Sequence, residues 1–293
     1  MSAKNQVEFE IVGETEDFLA VDKPAGLLVH PTKPGGPRTL WDELRGLLGY
    51  ELATGGQVSL VNRLDRETSG VLLVAKHAQA ARAAGIAMQQ GAIQKRYMAL
   101  VFGWPDWDEK VVNAPIVRRG EIAQSAVWLE RAIDLRGVPA VTRFQVEDRL
   151  ELPKGRRFSV LSALPYTGRT HQIRVHLSHA GFPLLGDKIY ARGSRHYLDF
   201  IDRGWTDKME ADLWLPRHAL HSSRLRLEIG ACKLEWTSPL PHDLADVINS
   251  AENSVGSSSA LSALSLPNDA VGDALGKSLA ICPVLQIPVV LCI

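Results

Sequence analysis

The sequence predicts an α+β protein built on a mixed, mainly antiparallel β-sheet. Apolar runs with β-type alternation outnumber the helical patterns, and most connections between them are too short for the crossovers that parallel strands need. At 293 residues with 45% hydrophobic composition, the chain is long enough to bury a large core. We therefore expect strands to dominate, with helices laid against the sheet.

The first third of the chain carries clear element signals. Alternating Val, Phe and Ile residues around a charged turn predict an opening β-hairpin, and Thr39 is a suitable N-cap for an amphipathic helix that Gly49 ends. An alanine-rich run that ends at Gly91 predicts a second helix. The strands predicted here cover residues 7–12, 18–21, 58–61, 71–75 and 93–102, and the helices cover residues 39–48 and 78–90.

The remaining elements follow the same criteria. Ile173 and Leu177 lie four residues apart on one face of a predicted helix that ends near Gly181. The predicted strands cover residues 126–129, 141–146, 157–164, 219–229 and 233–236, and the helices cover residues 170–180 and 241–249. From Ser250 the chain becomes Ser-rich and then ends in an apolar run interrupted by two prolines. We predict one folded domain over residues 1–249 and a flexible tail over residues 250–293.

The charge is distributed unevenly along the chain. The formal net charge is zero, which is not the signature of a strongly basic nucleic-acid binder. Residues 154–226, however, contain 13 Lys and Arg against 6 Asp and Glu. A local basic face that neutralises phosphates and an ordinary solvated surface both fit this distribution.

Three cysteines are too few and too late in the chain for a disulfide framework, which predicts a reducing compartment. No signal-peptide pattern opens the sequence, and no apolar run reaches the roughly 20 residues that span a bilayer. We therefore expect a cytoplasmic protein with no membrane partner.

The most polar segment is residues 63–70, which lies between two apolar runs. Asp65 stands there between Arg63 and Arg66, on a connection between strands where a rigid scaffold can present a side chain. A carboxylate beside a guanidinium has a lowered pKa and stays ionised, which suits a nucleophile or an acceptor of a carbon-bound proton. A structural Arg–Asp pair fits the same spacing, and spacing alone does not decide between them.

Two further groups of residues were weighed. His171, His176, His179 and Asp187 could suggest a metal, but His171 and His176 are five residues apart and fall on different faces of a helix, so we predict no metal site. The basic segment also contains aromatic residues that could stack on RNA bases or belong to the core. These residues are Tyr166, Tyr190, Tyr197, Phe200, Trp205 and Trp214.

Several blocks together resemble one protein family. Residues 62–70, NRLDRETSG, resemble the HRLDxxTSG signature of the RluA-type RNA pseudouridine synthases. Asn62 departs from that signature, where histidine is usual, and puts a supporting contact in question. Further blocks occur in the order found in the family, and the resemblance covers roughly residues 8–248. These blocks are KPAGLLVHP (23–31), KRY (95–97), TGRTHQIRVHL (167–177), PLLGDKIY (183–190) and HALHS (218–222).

The resemblance implies a cofactor-free isomerase that converts chosen uridines of large-subunit rRNA, tRNA or both into pseudouridine. It implies that Asp65 is the catalytic carboxylate, that Arg169 forms an ion pair with it, and that Tyr97 stacks on the uracil. Arg63 and Thr68 are expected to support Asp65. The residues expected to contact RNA are Arg66, Lys95, Arg96, Arg174 and Lys188.

The resemblance also implies a monomeric, stand-alone catalytic domain without the N-terminal S4 domain of some family members. An RNA-binding protein that keeps the fold without catalysis is the alternative, and a metal-dependent hydrolase is a third hypothesis. Asp65, Tyr97 and Arg169 together favour the enzyme, because a protein that only binds RNA needs phosphate contacts but no carboxylate facing an anionic polymer.

Overall fold

The computed structural model describes residues 8–31 and 35–255 of the chain. The strands of the described residues are β1 (Glu10–Glu14), β2 (Phe18–Lys23), β3 (Ser59–Leu60), β4 (Ser69–Ala75), β5 (Ile93–Phe102), β6 (Glu109–Asn113), β7 (Ile116–Arg118), β8 (Arg131–Ile133), β9 (Val141–Leu152), β10 (Arg156–Pro165), β11 (Leu220–Ile229) and β12 (Cys232–Thr237). The helices are α1 (Leu40–Leu47), α2 (Gly49–Ala53), α3 (Ala78–Gln89), α4 (Gln172–His179), α5 (Arg195–Arg203), α6 (Asp207–Leu213) and α7 (His242–Val255).

The described chain is organised around a ten-stranded sheet. Its order is β1-β2-β4-β11-β5-β10-β9-β6, with β3 pairing with β4 and β12 with β11, and β7 and β8 form a separate hairpin. Strand pairs in the described residues are antiparallel, except β4 with β11, which are parallel. The predicted mixed, mainly antiparallel α+β class is confirmed.

Helices cover β4 on both faces, so its side chains are buried on both sides. Leu72 and Val74 pack in a cluster that contains residues of α1 and α4, whereas Val71 and Leu73 pack in the cluster that contains α3. A strand buried on both faces is a run of apolar residues rather than an alternation, and this is the pattern of residues 71–75. The segment that carries Asp65 therefore leads directly into a strand that is buried on both faces.

The parallel contact between β4 and β11 depends on a glycine. Gly70 has φ +106°, and a Cβ atom there would collide with the backbone carbonyl of Ser222 on β11. Only glycine tolerates both the backbone conformation and the close approach. Because the strands are parallel, β4 and β11 begin side by side, at the same end of the sheet.

Two sequence predictions are wrong in detail. Residues 126–129 form no strand, because the β7–β8 ladder ends at the pair Arg118 and Arg131 and the chain between them makes a 3₁₀ turn and a loop. The predicted boundary after residue 249 falls inside α7, which continues to Val255 because Ala251 is buried in the core beside Leu244. Residues 256–293 of the predicted tail lie outside the described residues.

Candidate active site

Asp65 lies on the connection between β3 and β4, at the end of the sheet where β4 and β11 begin. Asp65 is the first residue of a turn, in which the backbone N–H of Thr68 donates to the carbonyl of Asp65 at 3.1 Å. Its side chain keeps 23% exposure, while the adjacent Leu64 and nearby Thr68 are buried. The carboxylate is therefore held in place but open to a ligand.

Asn62, the departure from the family signature, supports this connection from inside the sheet. Its side-chain N–H₂ donates to the carbonyl of Val71 at 3.1 Å, and its Oδ1 accepts from the backbone N–H of Leu73 at 2.8 Å. The amide thus bonds to β4 as a neighbouring strand would, with both its donor and its acceptor satisfied.

Arg174, on the buried face of α4, is the cationic partner of Asp65. Its Nη1 donates to Asp65 Oδ2 at 3.0 Å. Its Nε and Nη2 donate to the two oxygens of Asp187 at 2.7 and 2.9 Å, a bidentate pair in which both side chains are buried. Asp187 therefore fixes the guanidinium, and the guanidinium presents its remaining donor to Asp65.

The electrostatics keep Asp65 ionised. Burial alone would raise the pKa of Asp65, but the charge and the hydrogen bond of the Arg174 guanidinium outweigh it and hold that pKa below its usual range. Burial lowers the pKa of His171 to about 3, so at neutral pH the imidazole is uncharged and Arg174 supplies the positive charge. A carboxylate in this state can accept a proton or attack an electrophile, but it cannot serve as an acid.

Tyr97 lies in the middle of β5, beside Ser222 of β11 in the register of the sheet. The ring is buried among apolar residues that include Leu220 and Ile173. Burial, with a smaller contribution from the charge on Asp65, raises the pKa of Tyr97 to about 12. The phenol therefore stays protonated next to the site, and its predicted stacking on uracil stays a prediction.

The predicted ion pair between Arg169 and Asp65 is wrong. The Arg169 side chain is exposed, and its Nε donates to the carbonyl of Pro139 at 3.2 Å. The reason is where the helix begins. Arg169 lies three residues before Gln172, the first residue of α4, and points to solvent, whereas Arg174 lies on the inward face of that helix.

Two of the residues predicted to contact RNA, Arg174 and Lys188, are buried. Arg174 is buried against carboxylates, and Lys188 is buried with its Nζ bonded to Glu67 at 2.7 Å and to the carbonyl of Pro216 at 2.6 Å. Rings of Phe200 and Trp205 lie over the same ammonium. Both cations organise the site from inside, and neither is open to a phosphate.

The other predicted cations are accessible to different degrees. Arg63 and Arg66 are exposed on either side of Asp65, and Arg66 Nε donates to the carbonyl of Gly26 at 3.1 Å. Arg96 is half-buried and bonded to Glu147 and Ser162. Lys95 is half-buried beside Gly168, and burial lowers its pKa. Positive charge therefore borders the opening to Asp65.

A second layer of polar contacts was not foreseen. Thr68 Oγ1 and His218 Nε2 are hydrogen-bonded at 2.7 Å, and His218 Nδ1 lies 3.4 Å from Glu67 Oε2. Glu67, Thr68 and His218 all belong to blocks that resemble the family. Spacing along the chain does not indicate their contact, because His218 is about 150 positions from the other two residues. These contacts connect the residues just before β11 to the turn that contains Asp65. Thr68 thus stabilises this turn through His218.

Lys23 connects the same turn to the end of β2. Its fully buried Nζ donates to the carbonyls of Pro24, Leu27 and Arg66 at 2.8, 3.1 and 3.1 Å. Burial lowers the pKa of Lys23 to about 7, while three carbonyl acceptors favour the ammonium, which alone has three N–H donors. The loop after β2 and the segment carrying Asp65 are thus joined through one side chain.

The histidines weighed as metal ligands have other partners. His171 is bonded to Tyr190, His176 to Thr142 and to the carbonyl of Ala114, and His179 is exposed. Over the described ranges, no group of three or more His, Cys, Asp or Glu side chains has the arrangement of a metal site. No helix within those ranges is both long and apolar enough to cross a membrane.

Comparisons with known proteins point to one family. The profile of the family described as RNA pseudouridylate synthase matches residues 17–179. The chain is 36% identical over 254 residues to "Ribosomal large subunit pseudouridine synthase D" of Nitrosomonas europaea, covering 84% of this chain and 66% of that protein. It is 35% identical over 241 residues to the protein of the same name in Pseudomonas aeruginosa, covering 81% and 70%. The chain thus spans about two thirds of the length of these relatives.

Solved structures agree with the sequence comparisons. "Human RNA Pseudouridylate Synthase Domain Containing 1" superposes with a TM-score of 0.60 at 25% identity, covering 86% of this chain and 98% of that one. "Human RNA Pseudouridylate Synthase Domain Containing 4" has a TM-score of 0.62 at 24% identity, covering 83% and 93%, which supports the fold alone.

Proposed function

The chain belongs to the RNA pseudouridylate synthase family, and from this premise we propose that it converts a uridine of large-subunit ribosomal RNA into pseudouridine with Asp65 as the catalytic carboxylate. The observation that carries the proposal is the ionised, partly exposed Asp65 held by a guanidinium that Asp187 clamps. The names of the relatives from two organisms, which specify the ribosomal large subunit, support this choice of RNA over tRNA.

The reaction is an isomerisation that needs no net exchange of atoms. The C1′–N1 bond of the uridine breaks, the uracil turns while it is held, C1′ bonds to C5, and the proton lost from C5 is balanced by one gained at N1. Asp65 acts on the sugar, either by attacking C1′ or by taking the proton from C2′. Both routes need an ionised carboxylate at the start, which is the state that Arg174 maintains.

The surroundings of Asp65 suit a base removed from its helical stack. A uridine must leave its stack to bring its sugar to a carboxylate on a protein surface. Tyr97 is the aromatic residue proposed to retain the detached uracil, and its raised pKa keeps it an uncharged ring. We expect the exposed Arg63 and Arg66 to bind phosphates on either side of that nucleotide.

Tritium release tests the proposal directly. Ribosomal RNA fragments and tRNA, each labelled with tritium at uridine C5, are incubated with the purified protein in the presence of EDTA. We expect tritium to appear in water from the ribosomal RNA, and none with Asp65→Asn. The matched control is Asp202→Asn, since the Asp202 side chain is 73% exposed and pairs with the adjacent Arg203.

Release by Asp65→Asn at the wild-type rate would refute the role of Asp65. RNA binding by the wild-type protein without any release from either RNA would favour the non-catalytic alternative. Tritium release from tRNA alone would support the proposed isomerisation but refute ribosomal RNA as its substrate.

We further infer that the enzyme acts as a monomer in the cytoplasm. Three cysteines in 293 residues suit a reducing compartment, which supports the cytoplasmic location. Sedimentation of the protein at micromolar concentration should give the mass of one 32.1 kDa chain, and a dimer mass would contradict it.

A further inference from the structure

His171 lies against the candidate catalytic carboxylate in an unusual backbone conformation. It precedes α4 with φ +56°, in the left-handed region that a side chain with a Cβ rarely adopts. Its side chain is buried, and its Nε2 lies 3.8 Å from Asp65 Oδ2. Strained residues persist where the surroundings over-determine them, and such residues gather at functional sites.

Tyr190 holds the other side of the imidazole. Tyr190 Oη and His171 Nδ1 are hydrogen-bonded at 2.8 Å. The same Oη accepts a hydrogen bond at 2.9 Å from the backbone N–H of Arg131, the first residue of β8. Because that donor is part of the backbone, it cannot rotate away.

This geometry selects one tautomer of His171. The Oη of Tyr190 accepts from Arg131, and among the described residues His171 Nδ1 is the other hydrogen-bond partner of this hydroxyl. We therefore assign the O–H as the donor and Nδ1 as the acceptor, which leaves no hydroxyl proton unpaired. A neutral imidazole with an acceptor at Nδ1 carries its proton on Nε2, the atom that faces Asp65. Burial raises the pKa of Tyr190 well above its usual value, which keeps the hydroxyl proton available for this bond.

Asp65 has room for a second donor. Arg174 Nη1 reaches Oδ2 at 3.0 Å, and His171 Nε2 faces the same oxygen from slightly beyond hydrogen-bond distance. A small rotation of the carboxylate, as when a ribose enters, would bring the oxygen and the Nε2–H together. In catalytic sites such bonds are often long without substrate and shorten when it binds.

We propose that Tyr190 and His171 form a positioning pair for Asp65, in which Tyr190 fixes His171 as the Nε2–H tautomer and that N–H limits the carboxylate to the orientation that faces the ribose. The inference rests on the proposed function of Asp65. It assigns a role to a histidine that the sequence offered only as a weak metal candidate. His171 is a positioning residue here, since it acts through Asp65 and not on the substrate.

Two substitutions at one position separate positioning from structure. In His171→Gln the side-chain amide can place an N–H near the position of Nε2, whereas His171→Leu has similar size but no donor. Both are unbranched at Cβ and meet the same left-handed backbone, so their stability costs should match. We expect His171→Leu to lower kcat by about tenfold or more with KM within about twofold, and Gln to recover most of that loss.

Tyr190→Phe tests the tautomer independently of activity. Nitrogen-15 NMR of the histidine side chains should show His171 as the Nε2–H form in the wild type and as a mixture of tautomers in Tyr190→Phe. We expect kcat of Tyr190→Phe to fall by several-fold while KM stays the same. His179→Gln, at an exposed histidine of the same helix, is the control and should change neither readout.

Equal kcat values for His171→Gln and His171→Leu would overturn the proposal, as would an Nδ1–H tautomer in the wild type. An unchanged tautomer and kcat in Tyr190→Phe would overturn it as well. These outcomes differ from failure of the proposed function, in which the wild-type protein would release no tritium while the NMR signature of His171 remained measurable.

Discussion

At the scale of single residues, two carboxylates share Arg174 but differ in what else they bind. Asp187 is fully buried and accepts four hydrogen bonds, two from Arg174 and two from the backbone N–H groups of Ile189 and Tyr190. Asp65 accepts one hydrogen bond from Arg174 and is partly exposed. The fully bonded carboxylate therefore holds the site together, and the one with a single hydrogen bond from Arg174 is left open to a ligand.

Exchanging the two arginines of the family block for lysine should give opposite results. A lysine at position 174 has one compact ammonium and cannot bind Asp187 in two places while also reaching Asp65. We expect Arg174→Lys to lower tritium release by about tenfold or more, whereas Arg169→Lys, at the exposed site, should stay within about twofold of wild type.

The same variant should shift the pH dependence. Arg174 lowers the pKa of Asp65, so weakening that contact raises this pKa, and Asp65 then becomes protonated at a higher pH as the solution is acidified. We expect the acid limb of kcat in Arg174→Lys to lie at higher pH than in wild type. Superimposable acid limbs would contradict the assignment of Arg174 as the charge that keeps Asp65 ionised.

At the scale of elements, the site exists because β4 and β11 begin together. The parallel pairing places the turn that carries Asp65 next to His218, and β5 on the other side of β11 brings Tyr97. Helix α4 then delivers Arg174 and, just before its first turn, His171. Each element contributes one or two groups, and none of them could form the site alone.

Gly70 should be more sensitive to substitution than a left-handed glycine with open space around it. Gly70→Ala meets both an unfavourable backbone and the carbonyl of Ser222, whereas Gly91→Ala has φ +72° with open space around it. We expect Gly91→Ala to cost about 1–2 kcal/mol for its left-handed backbone and Gly70→Ala on the order of 1–3 kcal/mol more for the overlap. Urea unfolding of both variants measures this, and equal costs would mean that the strands separate easily.

At the scale of the whole molecule, four buried histidines make stability depend on pH. Burial lowers the pKa of His171, His176, His218 and His221. In the unfolded chain histidine takes up a proton near pH 6.5, but the folded chain does not, so unfolding binds protons below that pH. Stability is therefore lost as the pH falls below about 6.5, before the carboxylates titrate.

We expect the urea midpoint to fall steadily between pH 6.5 and 5. His176→Gln should reduce the slope of this fall, whereas the exposed His179→Gln should leave it unchanged. A midpoint that is constant over this range would show that the histidines are protonated in the folded protein.

The fold was largely predictable because its signals are local. The opening hairpin, the Thr39 cap of α1 and the strand Ile93–Phe102 depend on alternation or on capping within a few residues, and the structure contains all three. Helices α5 and α6 were not predicted. Residues 126–129 were wrongly predicted as a strand, because an apolar run does not reveal whether a partner strand is within reach. The resemblance to the family is confirmed by the comparisons.

The sequence by itself determined the family, the α+β class and the position of Asp65 between two strands, since each is recorded in contiguous residues. The tertiary structure decided which arginine faces Asp65, that Lys188 is buried, and that His171 lies between Tyr190 and the carboxylate. These outcomes depend on where α4 begins and on contacts between residues more than a hundred positions apart. Spacing along a chain fixes which face of a helix a residue occupies, but only packing fixes what that face meets.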